Sequence, residues 1–292
     1  MTRTRTAKDD TVSTATTSHL RTHRLGELSW TEVRDVAATD PVMLLPIGAV
    51  EQHGPHLPVH EDSIVAEWVA DQLALRNGCL VAPALHYGHS PMFRGYPGNL
   101  SLSAQTLRAV TYELLEALVQ SGFRRIVLLD NNGGNVAPVT SAAMDARRDL
   151  GILVGHLYPW SLGYALMRDQ YADPATAYGH GAEPEHSAML AMFPDQVQAA
   201  PTADTGLRSA AGWTPVSYGE AAIPGQDVRG TVLWDFSEVS QSGCTGDVSL
   251  GDPKIGEVWI ERVLSFCSDY LAEYERNTAD GKGSLKQGTL GR

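Results

Sequence analysis

Through the middle of the chain, short runs of nearly continuous apolar residues alternate with stretches in which apolar residues return every three or four positions. These runs fall at 42–48, 79–83, 125–130 and 152–157, with Arg125, Asp130 and His156 as their polar members. A strand with one wet face alternates apolar and polar side chains, so runs apolar nearly throughout predict strands covered on both faces. Between them, Ile64, Val65, Trp68, Val69 and Leu73 lie at helical spacing. So do Leu107, Val110, Leu114 and Leu118, behind Ser103 as a candidate N-cap. Val258, Ile260, Val263, Leu264 and Cys267 mark a last helix over roughly 254–275. This alternation predicts a layered α/β domain with a mostly parallel central sheet. Residues 200–250 have little periodicity and many Gly, Pro and Ser, which predicts loops and short strands covering a pocket.

The first two dozen residues are rich in Thr, Ser and Arg and contain no apolar signal-peptide core. The expected organisation is a disordered tail over 1–24, one domain over 25–277 and a second disordered tail over 278–292. A formal net charge of −12 argues against a nucleic-acid surface or a polybasic membrane patch. No run approaches the roughly 18 apolar residues of a membrane span. Cys79, Cys244 and Cys267 are widely spaced and odd in number, so neither a disulfide framework nor a thiolate zinc site is indicated. A cytoplasmic location is the economical expectation.

Chemistry concentrates where the apolar runs stop, which is where open α/β sheets gather their ligands. After 42–48 come Glu51, His53 and, nine residues on, Asp62. Carboxylate and imidazole together suit Zn²⁺, or Mn²⁺ or Fe²⁺, better than Ca²⁺ or Mg²⁺. Glu51 and His53, two apart, share a face in extended chain. Asp62 also fits a plain helix cap. After 125–130 comes Asp130-Asn131-Asn132-Gly133-Gly134-Asn135, a glycine-rich turn in which Asn132, Gly133 and Gly134 are candidate substrate-binding residues. A third cluster, His180 to Ser187, holds two histidines and the carboxylates Glu183 and Glu185. His180 is the candidate general acid or base, and Glu185 a candidate metal ligand or proton acceptor. Trp160, Trp213 and Trp234 read as core or interface residues.

These motifs resemble the creatininase (creatinine amidohydrolase) family from about Trp30 to Tyr274. Pro46-Ile47-Gly48-Ala49-Val50-Glu51-Gln52-His53-Gly54-Pro55-His56-Leu57-Pro58 looks like that family's leading signature almost residue for residue. Gly95 to Leu102 resembles its "FPGT-x-SL" turn, with Asn99 where threonine is usual. His180 to Ser187 resembles "HAGE-x-ET-S", with His186 for threonine, and Gly243 to Asp247 is similar to "G-V-x-GDP". The resemblance implies a three-layer α/β/α fold, often a homo-hexamer, that binds two divalent metals. It also implies hydrolysis of C–N bonds in cyclic amides, formamides or peptides. By position, Glu51 and His53 would bind different metals, Asp62 would bridge them, His180 would donate a proton, and Glu185 would be a ligand or its neighbour.

The chain departs from the pattern in three places. Asn132 stands where the family's "NGHGGN" has a metal-binding histidine, so one ion is expected to bind less tightly, change identity or be missing, leaving one or two per chain. His60 and Glu61 replace smaller residues and are candidate substitute ligands. Met92-Phe93 replaces a Glu/His pair after "SP", which implies a small-molecule substrate other than creatinine. The leading expectation is a metal-dependent hydrolase of an amide C–N bond. The alternatives are an altered-metal enzyme acting on a lactone or by hydration or elimination, and a metal-free binding subunit.

Overall fold

In the computed structural model the described residues are 20–200, 206–226, 228–281 and 283. The central sheet is built from β1 (Val42–Ile47), β2 (Leu80–Val81), β3 (Arg125–Asp130) and β4 (Val154–Leu157), in the order β2-β1-β3-β4 and parallel throughout. All six residues of β1 and of β3 are buried, as their nearly continuous apolar runs predict, whereas β4 at the end of the sheet is only half buried.

The strand period of two divides these residues between two cores. Val42, Leu44, Val127 and Leu129 face one cluster, packed under α2 (Glu61–Asn77), α5 (Pro159–Leu166), α7 (Glu185–Met192) and α8 (Pro253–Thr278). Met43, Leu45, Ile47, Ile126 and Leu128 face the other, under α1 (Trp30–Ala37), α3 (Ala104–Gln120) and α4 (Val136–Asp149). The result is three layers, α/β/α. Trp160 and Trp259, with ring centroids 5.0 Å apart, anchor the first core. The Ser103 hydroxyl accepts from the Thr106 N–H and caps α3, as its position predicted.

Residues 210–231 supply three short antiparallel strands, β5 (Thr214–Ser217), β6 (Glu220–Ala222) and β7 (Arg229–Thr231). A small core of Phe93, Ala221, Trp234, Phe236 and Val239 pins this sheet over the carboxyl ends of the main strands. A last short helix, α6 (Pro174–Ala177), leads toward the His180 loop.

The N-terminal boundary differs from expectation. Residues 20–24 are packed: the His23 ring bonds Asp71 at 2.8 Å, and the Val81 N–H donates to the His23 carbonyl, which ties the segment to α2 and β2. At the other end α8 runs to Thr278, with a 3₁₀ turn after it. Residues 1–19 and 284–292 lie outside the described residues.

Candidate metal centre

β1 and β3 pair in register from Val42 opposite Arg125 to Ile47 opposite Asp130, so both strands end at one line. The loop carrying Glu51 and His53 and the turn carrying Asn132 therefore leave the sheet side by side. α2 starts at Glu61 and brings Asp62 to the same edge, fully buried. Asp62 is not a cap: its two oxygens accept from the Trp160 indole N–H at 3.1 Å and from the Asn132 amide at 2.9 Å.

Above this edge lies a cavity of about 370 Å³, lined by Glu51, His53, Asp62, Asn132, Gly133, Gly134, His180 and Glu185 together with Phe93, Tyr158, Trp160, Tyr164 and Tyr218. Glu51, His53, Asp62, Asn132, Gly133, Gly134, His180 and Glu185 thus reach one cavity, whereas His60, Glu61 and Glu183 do not line it. A larger open cleft of about 1010 Å³ adjoins it across Tyr164 and Tyr218, but no histidine among the described residues lines that cleft. The clustered carboxylates and imidazoles line the smaller space.

The His53 Nε2 atom is 3.5 Å from Asp62 Oδ1 and 3.8 Å from Glu51 Oε1. One ligand atom each from Glu51, His53 and His180 lies within 4.8 Å of the others. Atoms about 2.1 Å from a tetrahedral ion sit roughly 3.4 Å from one another, so the spacing and the donor chemistry fit a divalent ion. Glu185 is held at the same wall by the Gly181 N–H at 2.8 Å and the Tyr164 hydroxyl at 3.0 Å.

Neither proposed substitute ligand takes the place of the missing histidine. Glu61 is fully buried but stands behind His53, 3.8 Å from Nδ1, the ring nitrogen opposite the one facing Asp62 and Glu51. His60 leans on His86, with ring centroids 5.1 Å apart, and lines no part of the cavity. Glu183 also turns away, accepting from the Tyr171 hydroxyl.

The His180 ring is sandwiched between Phe93 and His53, with centroids at 4.4 and 4.6 Å. Its Nε2 meets the Gln52 carbonyl at 2.5 Å. A carbonyl only accepts, so Nε2 carries the hydrogen and Nδ1 keeps its lone pair. Burial, helped by His53, depresses the His180 pKa well below the usual histidine range. Burial thus favours the neutral ring in the metal-free protein, with the Nδ1 lone pair left to take up a proton and give it back.

Glycine matters here at two points. A Cβ on Gly134 would lie 1.9 Å from the His89 carbonyl oxygen, and Gly181 has φ +66° with the His53 carbonyl 2.6 Å from where a Cβ would sit. Gly134 is thus required by backbone packing, and it also lines the cavity. At Gly133 a Cβ would meet only the Tyr158 ring, its hydroxyl at 3.0 Å, so that residue keeps its expected contact with the cavity.

Burial, then the Asp62 carboxylate, pushes Glu51 up to about 8, and burial pushes Glu185 up to about 7. His53 is raised well above 6.5, because Glu61, Asp62 and Glu51 outweigh its burial. In the unfolded chain these carboxylates ionise near 4.5, so above that pH the folded metal-free protein holds protons the unfolded chain has released. Raising the pH through that window favours unfolding. His56, pressed down to about 4 by burial, and His180 have the opposite sign, but only below 6.5. Chelated protein is therefore expected to melt at progressively lower temperature from about pH 6.5 to about 8, and added metal to stabilise most at the upper end. A melting temperature that rose over this range would contradict the assignment.

Residues 26–271 match the family model "Creatinine amidohydrolase". The chain belongs to the creatininase family. It is 32% identical to the creatinine amidohydrolase of Pseudomonas putida over 189 residues, 59% of this chain and 73% of that one. It is 27% identical to the mycofactocin precursor peptide peptidase of Mycolicibacterium smegmatis over 259 residues, covering 83% and 89% of the two chains. A solved manganese creatininase superposes with a TM-score of 0.70 at 26% identity, covering 87% of this chain and 98% of that one. A creatininase variant described as Zn-Zn type gives the same score, identity and coverage. This creatininase-family chain is a metal-dependent amidohydrolase with a three-layer α/β/α fold.

Sequence reasoning missed Trp160, Tyr158, Tyr164 and Tyr218. The first three follow β4 directly, at the sheet edge already marked as the ligand side, and that position was the available signal. Tyr218 sits in the turn between β5 and β6 and carried no signal of its own.

Proposed function

We propose that the chain hydrolyses an amide C–N bond in a small, compact substrate such as a cyclic amide, a formamide or a short peptide-like molecule. The observation that carries this reading is the convergence of Glu51, His53, Asp62, Glu185 and the neutral, oriented His180 on one cavity of about 370 Å³. Glu51, His53, Asp62 and Glu185 would hold the ion, for which Zn²⁺ is the first expectation and Mn²⁺ or Fe²⁺ the alternatives. When bound, a divalent ion there supplies Lewis-acid polarisation of the substrate carbonyl and acidifies water. His180 takes a proton through Nδ1 and passes it to the leaving nitrogen. Met92 and Phe93 give that part of the wall an apolar surface, which favours a substrate without the charged partners a Glu/His pair would serve.

The test is a panel of lactams, formamides and dipeptides, scored by amine release before and after chelation. Activity is expected on at least one amide class, lost on chelation and regained with Zn²⁺ or Mn²⁺. Turnover of lactones alone would favour the altered-chemistry reading. Protein that binds no ion when supplied would leave only a binding subunit.

The same proposal includes a cytoplasmic homo-oligomer without nucleic-acid or membrane partners. Size measurement in solution checks the assembly, and a monomer would remove that part. No helix among the described residues is long and apolar enough to cross a membrane.

A further inference from the structure

The Asn132 carboxamide is fixed in orientation by its surroundings. Its Oδ1 accepts from the Asn135 N–H at 3.1 Å, so its Nδ2 must point the other way. There it donates to Glu51 Oε2 at 2.7 Å and to Asp62 Oδ2 at 2.9 Å. An amide oxygen acting as a weak ligand, the sequence-based expectation for Asn132, would require the group to turn over. That turn would set the Asn135 N–H against an NH₂ and leave both carboxylate oxygens without a donor.

Each of the two carboxylates divides its oxygens in the same way. One oxygen, Glu51 Oε2 or Asp62 Oδ2, is taken by Asn132. The other, Glu51 Oε1 or Asp62 Oδ1, faces His53 Nε2 at 3.8 or 3.5 Å. On the His53 side Glu51 Oε1, Asp62 Oδ1 (which also accepts from the Trp160 indole N–H at 3.1 Å) and the His53 Nε2 that an ion would engage face one gap, with no carboxamide between them. On the Asn132 side an N–H donor already stands between the oxygens, where a cation about 2.1 Å from each would meet its hydrogens.

We propose that the Asn132 amide takes the place of one of two metal ions, leaving this family member with a single-ion site on the His53 side of Asp62 and Glu51. The inference rests on the metal-hydrolase reading above and narrows it. Glu61, 3.8 Å from His53 Nδ1, lies behind the ring and adds no second seat on the cavity side.

Metal analysis of full-length protein, loaded with Mn²⁺ and desalted, decides the matter alongside electron paramagnetic resonance. One ion per chain with the six-line signal of an isolated Mn²⁺ is the expected result. Two ions per chain, or an exchange-coupled spectrum, would overturn the proposal and leave the hydrolase reading intact. No bound ion at all would remove both. Asn132→His should raise the content from one ion to two and introduce coupling. A folded N132H protein that still holds one ion would overturn the assignment to Asn132, and the wild-type spectrum decides the ion count even where that variant fails to fold.

Discussion

Asp62→Asn is expected to release the metal and reduce amide hydrolysis by on the order of 10³-fold or more, since water away from the ion returns from a pKa near 7 toward about 15.7. The change keeps the side chain's size. In the native site both Asp62 oxygens accept, one from Trp160 and one from Asn132. A carboxamide has one accepting oxygen, so one of those N–H donors must meet an NH₂ group. The charge facing His53 Nε2 at 3.5 Å is lost as well.

The stability consequence has a different sign from the functional one. Burial and then Asp62 raise Glu51, so removing the Asp62 charge relieves part of the repulsion within the metal-free cluster. Chelated D62N protein is therefore expected to lose less stability than wild type as the pH rises toward 8. Such a site is strained without its ion and active with it, a common bargain at functional positions. Metal content, amine release and melting temperature at two pH values measure all three effects. A D62N protein with wild-type metal content and turnover would remove Asp62 from the centre.

How much of this was legible in the sequence depends on how local each signal is. The central strands β1 and β3 were, because covering both faces demands nearly continuous apolar residues, and β3 was bounded correctly at Arg125–Asp130, whereas β4 is only half buried. Glu51, His53 and His180 were, because each lies in a short segment just beyond an element's end. The fate of Glu61 was not. Neighbouring residues on a helix point about 100° apart, so only the tertiary seating of α2 sends Asp62 into the cavity and Glu61 behind His53. Trp160 read as core because an indole is mostly apolar, and its one N–H gains meaning only when the fold sets Asp62 opposite. The orientation of Asn132 depends on the Asn135 N–H and on two carboxylates 70 and 81 residues away in sequence. No periodicity encodes such a bond. The packed segment at 20–24 was missed for a related reason: its contacts are to Asp71 and Val81, while its composition matches that of a tail.

His180→Ala is expected to lower turnover by about 10²- to 10⁴-fold, the usual worth of a positioned proton-transfer group. The metal content is the informative companion measurement. His180 lies close enough to Glu51 and His53 to be counted with them as a ligand, yet its ring is held by contacts that suit a proton carrier. Nε2–H is committed to the Gln52 carbonyl, two rings clamp the plane, and burial keeps the group neutral. A neutral imidazole with one free lone pair can accept a proton from attacking water and deliver it to the departing nitrogen. If that is its role, H180A retains its ion, loses rate with little change in KM, and recovers part of the rate when imidazole is supplied to the vacated space between Phe93 and His53. If His180 is a ligand, the ion leaves with the ring and added imidazole restores binding before it restores rate. Retained metal with undiminished turnover would exclude both roles and leave the Phe93–His180–His53 stack as packing alone.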